Sequence, residues 1–287
     1  MGLDRRNFLK TMGVAGFTFL AGRSLASDLP DEADVEFKAL LYDSTKCIGC
    51  RACESACAEA NGLPEPQDEM TAGVERKTTE TQRCVINAYA YGDTEIYSRH
   101  QCMHCNEPAC VAACLTQAMY KTKEGPVIWR ADKCMGCRYC MVSCPFDVPK
   151  FEYHSPNPII QKCDMCYNRQ KEGKIPACAE NCPAEALIFG TRRELLAEAR
   201  RRIAENPDLY QPIIYGENIA GGTSSLSVAS VPFEELGFET NIQKTSYPAL
   251  SKGFLYSVPS VFVLVPPLLL GIYEANKDKN LEEEAHD

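Results

Sequence analysis

The chain has 287 residues, enough for one or two domains with a real core, and its 17 Cys are far above ordinary usage. The formal net charge is −9, and the N-terminal segment is basic, so the remainder is more acidic still. A surface of that sign argues against nucleic acid as a partner.

At the N-terminus, Asp4-Arg5-Arg6-Asn7-Phe8-Leu9-Lys10 precedes a weakly apolar run, Thr11–Ala21, and Ser24-Leu25-Ala26 offers small residues for cleavage. Residues 1–26 resemble a twin-arginine export signal, with Asp4 where Ser or Thr is usual. A basic leader or an uncleaved anchor is the plainer alternative. The twin-arginine route moves proteins that are already folded.

Short strands follow. Val35–Tyr42 leads into the first cysteines, and Arg83–Tyr91 with Thr94–Ser98 flanks the turn signal Gly92-Asp93. Met119–Lys121 and Pro126–Trp129 form a second hairpin about Glu124-Gly125, and Ala186–Phe189 is a further strand. Thr191-Arg192-Arg193-Glu194 is a capping box opening a helix to about Ile203, with Leu195, Leu196, Ala199 and Ile203 as its apolar stripe. Residues 206–252 carry many turn formers and read as an irregular extension or linker. Gly253–Tyr273 then runs for 21 residues without a charge, about 30 Å as a helix, which is bilayer length. Pro259, Pro266 and Pro267 predict a kinked span, and residues 274–287 form a polar tail.

All cysteines but Cys84 fall into four quartets. Cys47, Cys50, Cys53 and Cys57 are spaced C-x2-C-x2-C-x3-C, as are Cys134, Cys137, Cys140 and Cys144. Cys102, Cys105, Cys110 and Cys114 follow C-x2-C-x4-C-x3-C, and Cys163, Cys166, Cys178 and Cys182 follow C-x2-C-x11-C-x3-C. Three closely spaced thiolates can wrap three irons of one cubane, while the fourth ligates the other cluster of a pair. That fourth Cys is expected at a helix start, with Pro145 or Pro183 in the first turn. Structural zinc would use two well-separated C-x2-C pairs. Disulfides join Cys two residues apart poorly. Covalent haem needs C-x-x-C-H, which is absent. Cys84 reads as an inert buried thiol, with a spare ligand or reactive thiol as the alternative. None of His100, His104, His154 and His286 sits in a catalytic pattern, so no catalytic set is expected. Lys46, Arg51, Lys133, Arg138 and Lys162 lie in or beside the ligand loops, where positive charge would raise cluster potentials.

The chain resembles the HybA-type iron–sulfur subunits of membrane-bound [NiFe] hydrogenases, within the wider dimethyl-sulfoxide-reductase-type iron–sulfur subunits. The resemblance rests on Arg5-Arg6-Asn7-Phe8, Leu41-Tyr42-Asp43-Ser44-Thr45, Gln101-Cys102-Met103-His104-Cys105, Gly136-Cys137-Arg138-Tyr139-Cys140-Met141-Val142, Val148-Pro149-Lys150 and Phe189-Gly190-Thr191-Arg192. Residues 58–83 and the apolar span do not match closely.

The resemblance implies an α+β fold over 27–205, a duplicated two-[4Fe–4S] ferredoxin-like domain, followed by the irregular extension and one transmembrane helix. It implies nested ligand sets for four [4Fe–4S] clusters. Cys47, Cys50 and Cys53 would share a cluster with Cys182, and Cys57 would join Cys163, Cys166 and Cys178. Cys102, Cys105 and Cys110 would join Cys144, and Cys114 would join Cys134, Cys137 and Cys140. Cys105 stands where some relatives place Trp and hold a [3Fe–4S] cluster. The implied role is a non-catalytic relay on the periplasmic side of the inner membrane. Its partners would be the small and large [NiFe] hydrogenase subunits and an integral membrane quinone-reactive subunit. Service to a molybdopterin enzyme, such as a formate dehydrogenase or a sulfur-compound reductase, is the alternative.

Overall fold

β1 (Lys38–Asp43) alternates its side chains between two different cores, and that alternation organises the domain. Ala39 and Leu41 point to one face and Leu40 and Tyr42 to the other, all of them buried. A computed structural model describes residues 36–92 and 94–284 of the chain; the expected export signal lies outside the described residues. Residues 35–250 form one compact unit.

The remaining elements of that unit are α1 (Ala52–Asn61), β2 (Cys84–Tyr91), β3 (Thr94–Gln101), α2 (Ala109–Ala112), β4 (Met119–Lys121), β5 (Val127–Trp129), α3 (Tyr139–Val142), β6 (Lys150–Phe151), β7 (Ile160–Gln161), α4 (Tyr167–Lys171), α5 (Ala177–Glu180), β8 (Leu187–Thr191), α6 (Arg192–Glu205) and β9 (Ser225–Val228). A three-stranded sheet has the order β8-β1-β9, with β1 antiparallel to β8 and parallel to β9. The other strands pair as hairpins, β2 with β3, β4 with β5 and β6 with β7. The expected hairpins are present, and β3 runs on to Gln101, next to Cys102.

α6 covers one face of the sheet. Leu195, Leu196 and Ala199 pack on Ala39, Leu41, Leu226 and Val228, with Ile188 and Ile203 at the margin. The capping box is formed as read: the Glu194 N–H donates to Thr191 Oγ1 at 3.3 Å and the Thr191 N–H to Glu194 Oε2 at 3.1 Å. Thr191→Ala is expected to cost about 1 kcal/mol, read as a lower thermal midpoint with unchanged metal content. The opposite face of the sheet packs Leu40, Tyr42 and Leu187 against Met165 and Cys178, with Cys47, Cys53 and Cys182 alongside.

Residues 207–250 are no linker. They supply β9 and also Tyr210 and Ile214 to the sheet core. Tyr215, Ala229, Val231, Phe233 and Leu236 make a second core around Met103 and the β2-β3 hairpin. The Ser224 N–H donates to Met103 O at 3.1 Å, and the Leu40 N–H donates to Ser224 O at 2.9 Å. The segment thereby ties the second quartet to β1. Small residues in 221–227 look like linker composition, yet they are what a tightly buried strand beside a loop can accommodate.

From Ser251 the chain belongs to a separate unit. Helix α7 (Tyr247–Glu284) contains Pro259, Pro266 and Pro267 and stays one helix in hydrogen-bond pattern. Its stretch Tyr247–Glu274 contains an 18-residue window of mean hydropathy 1.9 and is long and apolar enough to cross a membrane.

Candidate metal centres

The four C-x2-C loops share one backbone device. The residue before the second Cys has positive φ in each: Gly49 at 70°, His104 at 48°, Gly136 at 72° and Met165 at 56°. Glycine does this at little cost, whereas His and Met must be held there. His104 is held: its Nδ1 accepts from the Val127 N–H at 2.9 Å, and its carbonyl accepts from Lys121 Nζ at 3.1 Å. At Gly49 a Cβ would meet the Tyr97 ring at 2.4 Å, so close approach as well as φ requires glycine there.

The third Cys of each quartet is the second residue of a helix: Cys53 in α1, Cys110 in α2, Cys140 in α3 and Cys178 in α5. The fourth follows four residues later, one helical turn on. This corrects the expected helix start at the fourth Cys. In three quartets the helix ends there and the chain turns back. The N–H groups of Gln117, Asp147 and Glu185 donate to the carbonyls of Cys114, Cys144 and Cys182 at 3.1, 3.2 and 3.2 Å. Each of those three residues has positive φ. Pro145 and Pro183 occupy these turns, where their fixed φ fits equally well. Cys57 instead lies within the longer α1.

The fold brings cysteines together across quartets. Cys47, Cys50, Cys53 and Cys182 line one cavity with Tyr42 and Arg99. Burial raises the Cys47 thiol and the charges of Cys182 and Cys50 add to this, against hydrogen bonds from Tyr42 and the Gly49 N–H. Cys163 is raised by burial and then by Asp164, Cys102, Cys178 and Cys166 around it. α1, with Cys53 and Cys57, packs on α5, with Cys178. Burial pushes Cys105 up to about 12, with Cys102 and Cys144 contributing. Cys144 is pushed to about 11 by burial, partly offset by the Val148 N–H, with Cys102 adding to the rise. Cys140 is pushed to about 11 by burial and then by Cys114, Cys134 and Cys137. Burial also acts on Cys114, but donation from the Met119 N–H at 3.4 Å and from Thr116 brings it below the ordinary thiol value.

These neighbours join cysteines of different quartets. The contacts of Cys57 run to Cys84, which is fully buried and donates to Cys53 O at 3.7 Å. Among the described residues, no three His, Cys, Asp or Glu close on one point as ligands of a single ion would. Thiolates of a cubane each take a different iron and have no need to do so.

The groups also adjoin one another. Cys53 interacts with Cys178, and Cys163 with Cys102. Cys110 and Cys140 share one apolar cluster. Cys50 and Cys137, in the groups at the two ends of this spatial succession, are exposed. Around Cys137, the side chains of Met135, Tyr139 and Val142 are exposed as well.

Of the flagged cations, Lys162 is buried, with Nζ 2.7 Å from Cys163 O, within bonding distance of Val127 O and 3.9 Å from Cys102 Sγ. Arg51 pairs with Glu54 at 2.8 Å, and Arg138 lies over the Phe151 ring at 5.3 Å. Two features escaped the sequence reading. One is Arg99, on β3. The other is Glu54, a carboxylate inside the first quartet that is buried against Arg76. The one available signal for Glu54 was a charged residue beside a Cys at the start of an amphipathic helix.

A family model described as a 4Fe–4S dicluster domain matches residues 93–192, which hold the second, third and fourth quartets. A protein of Nitratidesulfovibrio vulgaris is 42% identical over 96% of this chain and 78% of its own length. The hydrogenase-2 operon protein HybA of Escherichia coli O157:H7 is 33% identical over 99% of this chain and 98% of its own length. The chain belongs to the HybA-type iron–sulfur subunits. A formate dehydrogenase iron–sulfur subunit of Haemophilus influenzae is 32% identical over 74% of this chain and 69% of its own length. An iron–sulfur subunit of this kind relays electrons through its clusters, and the gathered thiols of this chain are chemically suited to hold them.

Proposed function

We propose that this iron–sulfur subunit carries electrons through four [4Fe–4S] clusters between a periplasmic [NiFe] hydrogenase and a quinone-reactive membrane subunit, without catalysing a reaction of its own. The ligand sets are Cys47, Cys50, Cys53 and Cys182; Cys57, Cys163, Cys166 and Cys178; Cys102, Cys105, Cys110 and Cys144; and Cys114, Cys134, Cys137 and Cys140. The recurring positive-φ residue before each second Cys supports a duplicated two-cluster unit. Residues 1–26 would direct export by the twin-arginine route, and 253–273 would anchor the chain.

The observation that carries this reading is the succession of thiol groups, each adjoining the next and beginning and ending at an exposed Cys. A saturated four-thiolate cluster exchanges one electron and leaves no iron open to substrate. The chain's own residues do the rest. Leu40, Met165 and Leu187 exclude water from Cys47, Cys53, Cys178 and Cys182. Met119, Val127 and Ile160 exclude it from Cys110, Cys114, Cys134 and Cys140. The Met119 and Met165 N–H groups donate to Cys114 and Cys163 sulfur at 3.4 and 3.3 Å, which stabilises the more negative state.

Iron and acid-labile sulfide in the anaerobic protein are expected at about 16 each per chain. Cys137→Ser is expected to abolish one of the four cluster signals in electron paramagnetic resonance and to stop quinone reduction in the assembled complex. Hydrogen-dependent dye reduction by the partner should persist. Loss of dye reduction with the partner still assembled would remove the relay role. The similarity to a formate dehydrogenase subunit favours a molybdopterin enzyme as the second reading of the partner. Purifying the complex through this subunit decides between a [NiFe] and a molybdopterin partner.

A further inference from the structure

Arg99 is a buried cation with no carboxylate paired to it among the described residues. It lies on β3 opposite Ile86. Ser98 and His100, its neighbours, bond to each other at 2.8 Å, as side chains on one face of a strand do. Arg99 therefore points the other way, among the cysteines, and is 5% exposed. Among the described residues its Nε and Nη1 have no hydrogen-bond partner. Among the described residues it forms no ion pair, unlike Arg76, whose guanidinium meets Glu54 at 2.8 Å.

Leaving a guanidinium buried and unpaired is strongly unfavourable. The ionisable groups that act on it most strongly are thiols, although it also borders a second cavity with Glu75, Asp147 and Glu239. Arg99 lines the cavity formed by Cys47, Cys50, Cys53 and Cys182. Burial opposes its charge, but Cys178, Cys84, Cys53 and Cys163 outweigh burial and hold it above the ordinary guanidinium value. Cys53 and Cys163 belong to different ligand sets in the reading above. One cation thus sits where two sets meet. Lys162 differs: it has carbonyl acceptors and lies beside Cys102 and Cys163, at the next junction.

We propose that Arg99 is the shared counter-charge of the first two cluster sites, donating its free N–H groups toward their sulfurs and raising their reduction potentials. The role rests on the four-cluster reading and adds to it the charge that balances the interior of the relay. On reduction, one electron from the relay adds one negative charge beside the guanidinium, with no bond made or broken and no proton required. A fixed cation favours that state.

The test is a potentiometric titration of the full-length protein, followed by electron paramagnetic resonance, for wild type, Arg99→Gln and Arg99→Lys. Cys50→Ser and Cys166→Ser identify the two signals concerned. Iron and sulfide are counted first. A wild-type protein lacking them would sink the four-cluster reading itself, independently of Arg99. With full metal, Arg99→Gln is expected to lower the reduction equilibrium constant of those two signals at least tenfold, about 59 mV for one electron. The other signals should stay in place, and Arg99→Lys should retain most of the wild-type value. Loss of metal in Arg99→Gln but not in Arg99→Lys would equally support a counter-charge. Unchanged potentials in Arg99→Gln would overturn the proposal, as would equal shifts, or equal loss of metal, in both variants. Those last outcomes assign Arg99 to shape and not to charge.

Discussion

Replacing Glu54 with Ala is expected to destabilise the cluster domain by about 3–5 kcal/mol, because it leaves the buried Arg76 guanidinium only the part-exposed Asp68 as a counter-ion. The Glu54 side chain is 1% exposed and saturated with donors. It accepts from Arg76 Nη1 at 2.8 Å and Nη2 at 3.0 Å, from Arg51 Nε at 3.0 Å, and from the Ile86 N–H at 2.6 Å. Arg76 in turn donates to Ile86 O at 2.8 Å, and its backbone N–H and C=O are both bonded by Asn87, each at 2.9 Å. The stretch between α1 and β2 has little regular structure of its own, so this network is what fastens it to α1 and to the hairpin. Since α1 carries Cys53 and Cys57, loosening it moves thiols of two groups. Glu54→Gln keeps acceptor capacity at one atom and should cost less than Glu54→Ala. Denaturant unfolding of the metal-loaded protein checks both. An Ala variant within about 1 kcal/mol of wild type would show that the segment is held by other contacts.

The rim of this network is acid-sensitive. Asp68 is held down at about 2, chiefly by its hydrogen bond from Arg76. Its folded value lies below the unfolded one, so its contribution is present above about pH 4 and is lost as pH falls toward 2. Asp68 is 41% exposed, and solvent screening keeps that contribution small beside the buried Glu54–Arg76 pair.

What could be read from the sequence was what local stereochemistry dictates. Cysteine spacing reports cluster geometry because three ligands come from one loop, and Thr191 and Glu194 report a helix start because they bond within one turn. The β2-β3 and β4-β5 hairpins were legible for the same reason. The features that escaped depend on distant partners. Glu54 and Arg76 are 22 residues apart, and nothing between them marks the pairing. Arg99 looks like an ordinary strand residue until the fold surrounds it with Cys53, Cys163 and Cys178. β9 pairs in parallel with β1, Leu40 with Ser225, across most of the chain. Its Ser-rich sequence carries too little apolar alternation to announce a strand. The helix at each third cysteine was misplaced because Pro after the fourth suits a turn as well as a helix start.

Stripping the iron from the anaerobic protein is expected to unfold most of the domain and not merely to empty its sites. Cysteines form part of the apolar interior. Cys178 is buried with Leu40, Tyr42 and Leu187; Cys110 and Cys140 with Met119, Val127 and Ile160; and Cys102 and Cys163 with Val148. Without metal, these clusters lose the bonds that close the chain across quartets, and Arg99 loses the charge proposed to balance it. Burial pushes the thiols of Cys105, Cys140 and Cys144 to about 11–12, so once emptied these three would take up protons at neutral pH and offer less negative charge to offset the buried cations. Metal-binding free energy is then folding free energy, and its loss is comparable with the whole stability of a domain, about 5–15 kcal/mol. One region should resist. The core of Ala39, Leu41, Leu195, Leu196, Ala199, Leu226 and Val228 contains no cysteine. Hydrogen exchange after anaerobic chelation should therefore show protection lost through α1, α2, α3 and α5 and retained longest in β1, β9 and α6. An iron-free protein that melts cooperatively at the temperature of the loaded one would mean that the apolar contacts alone hold the fold, and that the clusters are guests in a finished scaffold.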